Sequence, residues 1–400
     1  MRVPNIFSLI KIILYKIIRK FFCLPYNYSP LENFYFYVGK KPNKIALLSY
    51  RVLHVRELSH QTWSSGGDVF DLLAVLSKLG YKTDIIDCAD YSFVPQKKYD
   101  LFIGNEGADF ETIMPRLPSD ATTIFYPATA YWKYNNQQQR ERLEDLERRR
   151  NFSAKDERDL APLGQEYALT HADGTIVLSN EVGKKTYPNF KQAYALEGAS
   201  YVHKKIIDVN KKDFNAGKNN FLFLSGSGNA HKGLDLLLEA FAQIPQAHLY
   251  ICTKLELDFS VAYKKELFDT PNIHYVGHIK LYRKKFYDLI ASCNYVIFPS
   301  CSEGSPGSVA DCMIQGLIPL VTRSAHLEVQ GLGYYIDPPS VSSIVQLIHE
   351  LMDHDERWYR EKSRSIQNVA SKRFDPVVFR KKMEQFIVCL TTEKAQKIKK

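Results

Sequence analysis

Residues 294–322 read NYVIFPSCSEGSPGSVADCMIQGLIPLVT, and this stretch decides the fold. Four strand-forming residues, Tyr295–Phe298, run into Pro299. A loop of small residues with one acid follows, Ser300-Cys301-Ser302-Glu303-Gly304-Ser305-Pro306-Gly307-Ser308. The pattern predicts a helix from about Ser308 to Gln315, a stop at Gly316 and a second strand at Ile318–Val321. Strand, crossover helix and strand in so short a span indicate a parallel sheet with helices on its faces.

The same grammar extends in both directions. Strands are expected at Phe221–Leu224, Ala247–Cys252 and Asn272–Val276, with a helix over Gly233–Phe241. Earlier in the chain they are expected at Lys44–Leu48, Thr83–Asp87, Tyr99–Gly104, Thr122–Tyr126 and Thr175–Leu178. Val69, Leu72, Leu73, Leu76 and Leu79 give Asp68–Leu79 helical spacing. Two such series predict an α/β protein of two doubly wound, Rossmann-like domains facing a cleft. The expected division is residues 43–200, then 215–375, with a closing helix and basic tail over 376–400. Polar and basic residues near 195–215, among them Lys211, Lys212 and Asp213, interrupt the pattern between the domains. Residues 137–150, QQQRERLEDLERRR, pair opposite charges at i,i+4 and are expected to be a solvated surface helix, with Arg148–Arg150 as a weaker candidate for holding an acceptor phosphate.

Two loops carry chemistry. In FLFLSGSGNAHKGLDLLLEAF (221–241) a strand ends in Ser225-Gly226-Ser227-Gly228, and Lys232-Gly233 opens a helix. Glycines let backbone N–H groups approach an anion, and Lys232 adds a compact charge. A strand–turn–helix junction also needs glycines for its own geometry, so this reading stays open. In the second loop Glu303 stands at a strand's carboxyl end and Asp311 in the first turns of a helix. Two readings stand for these acids: contacts to sugar and ribose hydroxyls, or loop capping and complementing the helix dipole.

Together these segments resemble the donor half of the family 4 retaining glycosyltransferases, which have the GT-B fold. The resemblance rests on Pro299-Ser300, Glu303-x7-Asp311 and Gly316-Leu317-Ile318-Pro319-Leu320-Val321, and on Gly226-Ser227, Lys232-Gly233, Leu237-Leu238 and Ala240-Phe241. Residues 272–279, NIHYVGHI, which include His278, resemble the loop beside the nucleotide base. The resemblance is dense from about 221 to 337. It implies a nucleotide-diphospho-sugar donor held by Gly226, Ser227, Gly228, Lys232, His278, Glu303, Gly304, Ser305, Gly307, Ser308 and Asp311. Glu303 orients the sugar, Lys232 meets the diphosphate, and both are the expected catalytic residues. Gly66 and Gly67, with Trp63 and Tyr131, are the expected acceptor side.

Three departures qualify it. The second acid is an aspartate, Asp311. Ser227 stands where the family commonly has a diphosphate arginine. Where many relatives have a histidine after the fourth strand, this chain reads Ala128-Thr129-Ala130-Tyr131-Trp132, which leaves His54, His60 and His171 as the other N-terminal histidines to weigh. No cofactor or metal is expected, because the only Asp-x-Asp, Asp353-His354-Asp355, follows a helical stretch and reads as surface. Two rival readings are a nucleotide-sugar-binding scaffold without turnover and a nucleotide-sugar epimerase or phosphorylase.

Charge and cysteine content bound the partners. The chain of 400 residues has a formal charge of +9. Arg2, Lys11, Lys16, Arg19 and Lys20 in residues 1–23, and the lysines of 391–400, account for nearly all of it. A near-neutral body argues against nucleic acid. Seven scattered cysteines with no Cys-x-x-Cys suit a reduced compartment. Residues 1–30 are expected to be a basic amphipathic helix and tether, with Ile10, Ile13, Leu14, Ile17 and Phe21 on one face. Such a helix lies in an anionic membrane surface without crossing it. The expected location is the cytoplasmic face of a membrane, as a peripheral protein. The expected acceptor is a lipid-linked or membrane-bound glycan, as in bacterial surface-polysaccharide assembly.

Overall fold

The computed structural model describes residues 29–36, 41–52, 55, 67–90, 92–105, 110–154, 158, 164–200 and 205–399. The amphipathic segment expected within 1–30, and Trp63, Gly66, His54 and His60, lie outside the described residues.

The described strands form two sheets. The first orders its strands β1-β3-β2-β4-β5-β6-β7. These are β1 (Leu31–Phe34), β2 (Lys44–Tyr50), β3 (Tyr81–Asp87), β4 (Leu101–Gly104), β5 (Thr122–Phe125), β6 (Gly174–Val177) and β7 (Ala193–Ala195). Every pairing is parallel except β1 with β3. The second orders β10-β9-β8-β11-β12-β13, all parallel. Its strands are β8 (Asn220–Leu224), β9 (His248–Cys252), β10 (Ile273–Tyr275), β11 (Tyr295–Phe298), β12 (Ile318–Val321) and β13 (Tyr334–Tyr335). Two doubly wound sheets are thus present, as the apolar runs predict. Strands covered on both faces read as unbroken apolar segments, so Phe221–Leu224 and Tyr295–Phe298 are buried throughout. At their junction the Phe221 and Tyr295 rings stack with centroids 4.5 Å apart. The antiparallel strand β1 was not expected. It is short, and Asn33 in the middle takes a left-handed φ of 56° while its N–H donates to Asp84 at 2.8 Å.

Six helices organise the two sheets and their junction: α1 (Gly67–Lys78), α2 (Trp132–Arg150), α3 (Leu234–Phe241), α4 (Gly307–Ile314), α5 (Glu356–Arg373) and α6 (Pro376–Lys399). Helix α6 runs through the residues read as a basic tail and returns to the first sheet. Phe379, Met383, Ile387 and Leu390 are buried in the core of that sheet, and Lys394 pairs with Asp173 at 3.0 Å.

Helix α2 corrects a sequence reading. It does have a solvated face, with Arg140, Glu144 and Arg148 exposed, but its other face is not surface. It leaves the first sheet after β5, crosses to the second half, and buries Gln139, Arg142 and Leu146 there. The Arg142 guanidinium donates to the Pro299 carbonyl at 3.1 Å. Arg149 pairs with Asp235 at 2.6 Å and with Glu239, and Arg150 pairs with Glu266 at 2.9 Å. Arg149 and Arg150 are therefore spent holding the two halves together rather than free for an acceptor phosphate. Lys212, read as part of a polar break, is also buried, and its ammonium donates to Ile290 at 3.0 Å and to Cys293.

Among the described residues no helix is long and apolar enough to cross a membrane.

Candidate functional site

In the second sheet the chain winds one way from β8 through β9 to β10 and the other way from β11 through β12 to β13. Strands β8 and β11 lie side by side, with Tyr295 opposite Phe221. Their carboxyl ends form the crevice where open α/β sheets bind ligands. The glycine loop leaves β8 and the acidic loop leaves β11, so the register alone brings the two together. Gly233, at φ 79°, opens α3 against Pro299, and a Cβ there would lie 2.3 Å from the Pro299 carbonyl oxygen.

Lys232 and Glu303 meet in this crevice as an ion pair, both nearly buried. Ser300 donates to the same carboxylate oxygen at 2.6 Å. Burial alone would raise the Glu303 carboxyl, but Lys232 first, then His231 and Arg158, outweigh it and hold it at about 2. Burial pushes the Lys232 ammonium below its ordinary value, against the pull of Glu303. The carboxylate is therefore ionised throughout the physiological range, beside a lysine whose charge it satisfies.

Asp311 sits on α4, fully buried, with Ser200 on one carboxylate oxygen and the Tyr282 hydroxyl 3.0 Å from the other. Burial raises it to about 7, against the pull of these two hydroxyls. Gly307 and Ser308 open α4 and are half-buried, and the Ser305 hydroxyl accepts the Gly198 N–H at 3.0 Å. Gly304 is buried, and its carbonyl accepts from Ser179 of the first half at 2.7 Å. Gly226 and Ser227 are exposed, while Gly228 is buried. His278 is exposed on the loop after β10.

Glu256 accepts the Gly228 N–H at 2.5 Å and the Asn229 N–H at 3.1 Å. Two of the loop's backbone donors are thus engaged by a carboxylate of the chain itself. Glu256 was missed because it lies beyond the next strand, in a stretch with no motif.

Three further residues escaped the sequence reading. His231 is buried between the loops, with Nδ1 2.8 Å from Gln139 and Nε2 2.8 Å from the Ser302 carbonyl. Burial first, then the neighbouring Lys232 charge, lowers it to about 3, so its ring is neutral. His326 places Nδ1 2.6 Å from the Glu303 carbonyl and fixes the loop from below. Arg158, from the connection between β5 and β6, donates to the Ser227 carbonyl at 3.3 Å. Its neighbours in sequence are charged and carry no period, so no signal pointed to it.

On the first sheet the switch point lies between β2 and β4, and α1 starts there at Gly67. Asp68 follows, buried, accepting from the Tyr126 hydroxyl at 3.1 Å and the Tyr50 hydroxyl at 3.3 Å, and burial raises it to about 6. Tyr131 is buried in the packing of this half and gives its hydroxyl to Glu166. His171 lies on a short helix with its ring stacked on Tyr167 at 4.0 Å. Asp355 caps α5 through the Trp358 N–H at 2.7 Å, and the His354 ring stacks on Trp358. Asp353-His354-Asp355 is therefore a helix start. Among the described residues no group of three or more His, Cys, Asp or Glu side chains is placed to hold a metal ion.

Comparison with known proteins agrees with this geometry. Residues 206–373 match the family model of glycosyl transferases group 1. No curated protein matches the sequence. Among solved structures, sucrose-phosphate synthase from Thermosynechococcus elongatus superposes with a TM-score of 0.64 at 14% identity, over 88% of this chain and 100% of that one. HepE from Anabaena, solved with UDP, gives 0.59 at 14% identity over 86% and 100%. AviGT4, a glycosyltransferase involved in avilamycin A biosynthesis, gives 0.53 at 13% identity over 88% and 98%. The two facing sheets are the GT-B arrangement.

Proposed function

We propose, for a chain whose residues 206–373 match the family model of glycosyl transferases group 1, a retaining, metal-independent glycosyl transfer. A sugar moves from a nucleotide-diphospho-sugar to a membrane-associated acceptor in surface polysaccharide or glycolipid synthesis. The observation that carries it is the Lys232–Glu303 pair at the β8–β11 crevice. A donor entering there exchanges that contact for two better ones. Its diphosphate takes Lys232, and its sugar hydroxyls donate to the ionised Glu303. As the anomeric bond lengthens, negative charge builds on the diphosphate, and Lys232 and the N–H groups at the start of α4 stabilise it. One preorganised donor of this kind is worth roughly 3 kcal/mol of barrier. The acceptor hydroxyl attacks from the same face, and the departing phosphate takes its proton.

The acceptor side is assigned to the first sheet around Gly66 and Gly67, with Trp63 and Tyr131. The amphipathic segment 1–23 supports a peripheral position on the cytoplasmic face of a membrane and a lipid-linked glycan as acceptor. No resident cofactor is required by this scheme.

A second reading has two observations in its favour. Glu256 fills the Gly228 and Asn229 donors, and Asp311 is closed in by Ser200 and Tyr282. This suits a protein that binds a nucleotide-sugar with little turnover. The experiment that separates the two is nucleotide release from UDP-, GDP-, ADP- and dTDP-sugars with bacterial membrane extract, for wild type and Glu303→Ala. Release from one donor, lost in the variant, supports transfer. Calorimetric donor binding with no release from any extract supports the binding protein.

A further inference from the structure

We infer that Arg158 is the diphosphate-binding guanidinium of the donor site, brought to the glycine loop from the first half of the chain by the connection between β5 and β6. This rests on the donor-site reading above and supplies a partner which that reading lacks.

The charge around the loop calls for such a group. Lys232 is matched by Glu303, and Glu256 places a further carboxylate on the Gly228 and Asn229 amides. Ser227 is neutral. Without another cation the loop presents more negative than positive charge to an incoming diphosphate. A lone lysine also offers a point charge, whereas phosphate oxygens are best met by a planar fork of N–H donors.

Arg158 meets that need by position. Its guanidinium reaches the Ser227 carbonyl at 3.3 Å, beside the exposed mouth of the loop. Its stem lies across Gly228, where a Cβ would come within 2.3 Å of the Arg158 Cδ. Gly228, at φ 86°, thus serves the turn and the passage of this side chain together. Among the described residues no carboxylate forms an ion pair with Arg158. Its charge is nonetheless felt at Glu303, Lys232 and His231, all of which it shifts downward.

The chain leading toward Arg158 is packed on the second half as far as Ala154. Leu146 lies in the core of the second half, with Leu143, Phe152 and Ala154 packed against it. Asn135 donates to the Arg158 carbonyl at 3.2 Å. The cavity left between connection and loop, about 20 Å³ bounded by Arg158, Gly228, His231 and Glu256, has room for little more than one water. The guanidinium is therefore held at the loop before any ligand arrives.

The test is calorimetry on the full chain with UDP, GDP, ADP and dTDP, and with the matching monophosphates. The proteins are wild type, Arg158→Gln, Arg158→Lys and the double variant Arg158→Gln/Ser227→Arg. Arg158→Gln should weaken the preferred diphosphate about 10- to 100-fold, as expected for losing a charge-assisted pair of hydrogen bonds. The matching monophosphate should change by less than about threefold, since it lacks the outer phosphate that the fork grips. Arg158→Lys should fall between, and Ser227→Arg should restore diphosphate binding by returning a guanidinium to the same loop. Unchanged diphosphate affinity in Arg158→Gln overturns the inference. So does an equal loss for mono- and diphosphates, which marks Arg158 as only a strut. A wild type that binds none of the nucleotides overturns the donor-site reading itself.

Discussion

A methyl group on Gly304 would sit 2.3 Å from the carbonyl oxygen of Ala128. The two residues lie in loops that follow strands of different sheets, so the acidic loop of the second half is pressed against the chain just after β5 in the first, and the same methyl group would sit 2.9 Å from the Leu178 carbonyl oxygen. Both neighbours are backbone and cannot swing aside.

Gly304→Ala should therefore spread the two halves while leaving each folded. Small-angle scattering should show a larger radius of gyration. Turnover should fall about 100-fold, the usual cost of misplacing reacting groups by an ångström.

Lys232 and Glu303 should be far more costly to break singly than to remove together. Either Lys232→Met or Glu303→Gln strands a nearly buried charge or its donors, at about 3–5 kcal/mol by denaturant titration. The double variant should lose less than the sum, with an interaction energy of at least about 1 kcal/mol. Additive losses would mean that the two groups are not electrostatically joined.

Helix α2 fastens the halves through Arg149, whose guanidinium lies between the fully buried Asp235 and Glu239. Arg149→Ala leaves Asp235, among the described cations, with the longer contact to Arg142 at 3.6 Å. The expected loss is about 2–4 kcal/mol, and the single unfolding transition should broaden or split as the two halves uncouple.

Two opposed pH trends should be visible as differences between variants. His231 is neutral when folded, at about 3, but takes a proton near 6.5 when unfolded. Its contribution is lost as pH falls below about 6.5, at about 1.4 kcal/mol per unit, and wild type should lose ground to His231→Gln at that slope. Asp311 is the reverse. It holds its proton up to about 7 when folded against 3.8 in the unfolded chain, so its contribution declines as pH rises through that window. Wild type should lose ground to Asp311→Asn between about pH 4 and 7 and then level off. The wild type alone conceals both slopes because they oppose one another.

Deleting residues 1–23 should release the protein from anionic vesicles. Removing five basic side chains and one apolar face should lower partitioning by at least about 100-fold in a sedimentation assay, with no effect on neutral vesicles. Unchanged sedimentation would refute the membrane assignment.

The sheets were legible in the sequence because parallel strands are buried on both faces and show as short apolar runs. Phe221–Leu224 and Tyr295–Phe298 are of this kind, and the observed strands begin within a residue or two of the expected ones. The meeting of Lys232 and Glu303 was legible as well, since two loops at the carboxyl ends of adjacent strands have little choice. Partners that come from far along the chain were not. Arg142 and Arg149 look like any charged surface of a helix until Asp235, on α3, is seen facing them. Glu256 and Arg158 reach the glycine loop from opposite directions, and no local spacing encodes either approach. A closing helix was expected over 376–400, but not that its Phe379, Met383, Ile387 and Leu390 would complete the core of the first sheet.

That last placement has a consequence for synthesis. The residues that seal the first sheet's core leave the ribosome after the whole second half has been made. A nascent chain must hold the apolar face of α1 and its neighbours uncovered while some 200 further residues emerge, a long interval at about 5–20 residues per second. The second half, by contrast, has its own core in hand by the end of α5. The order of translation and the order of completion are therefore inverted, and the earlier half is the one that most needs a chaperone.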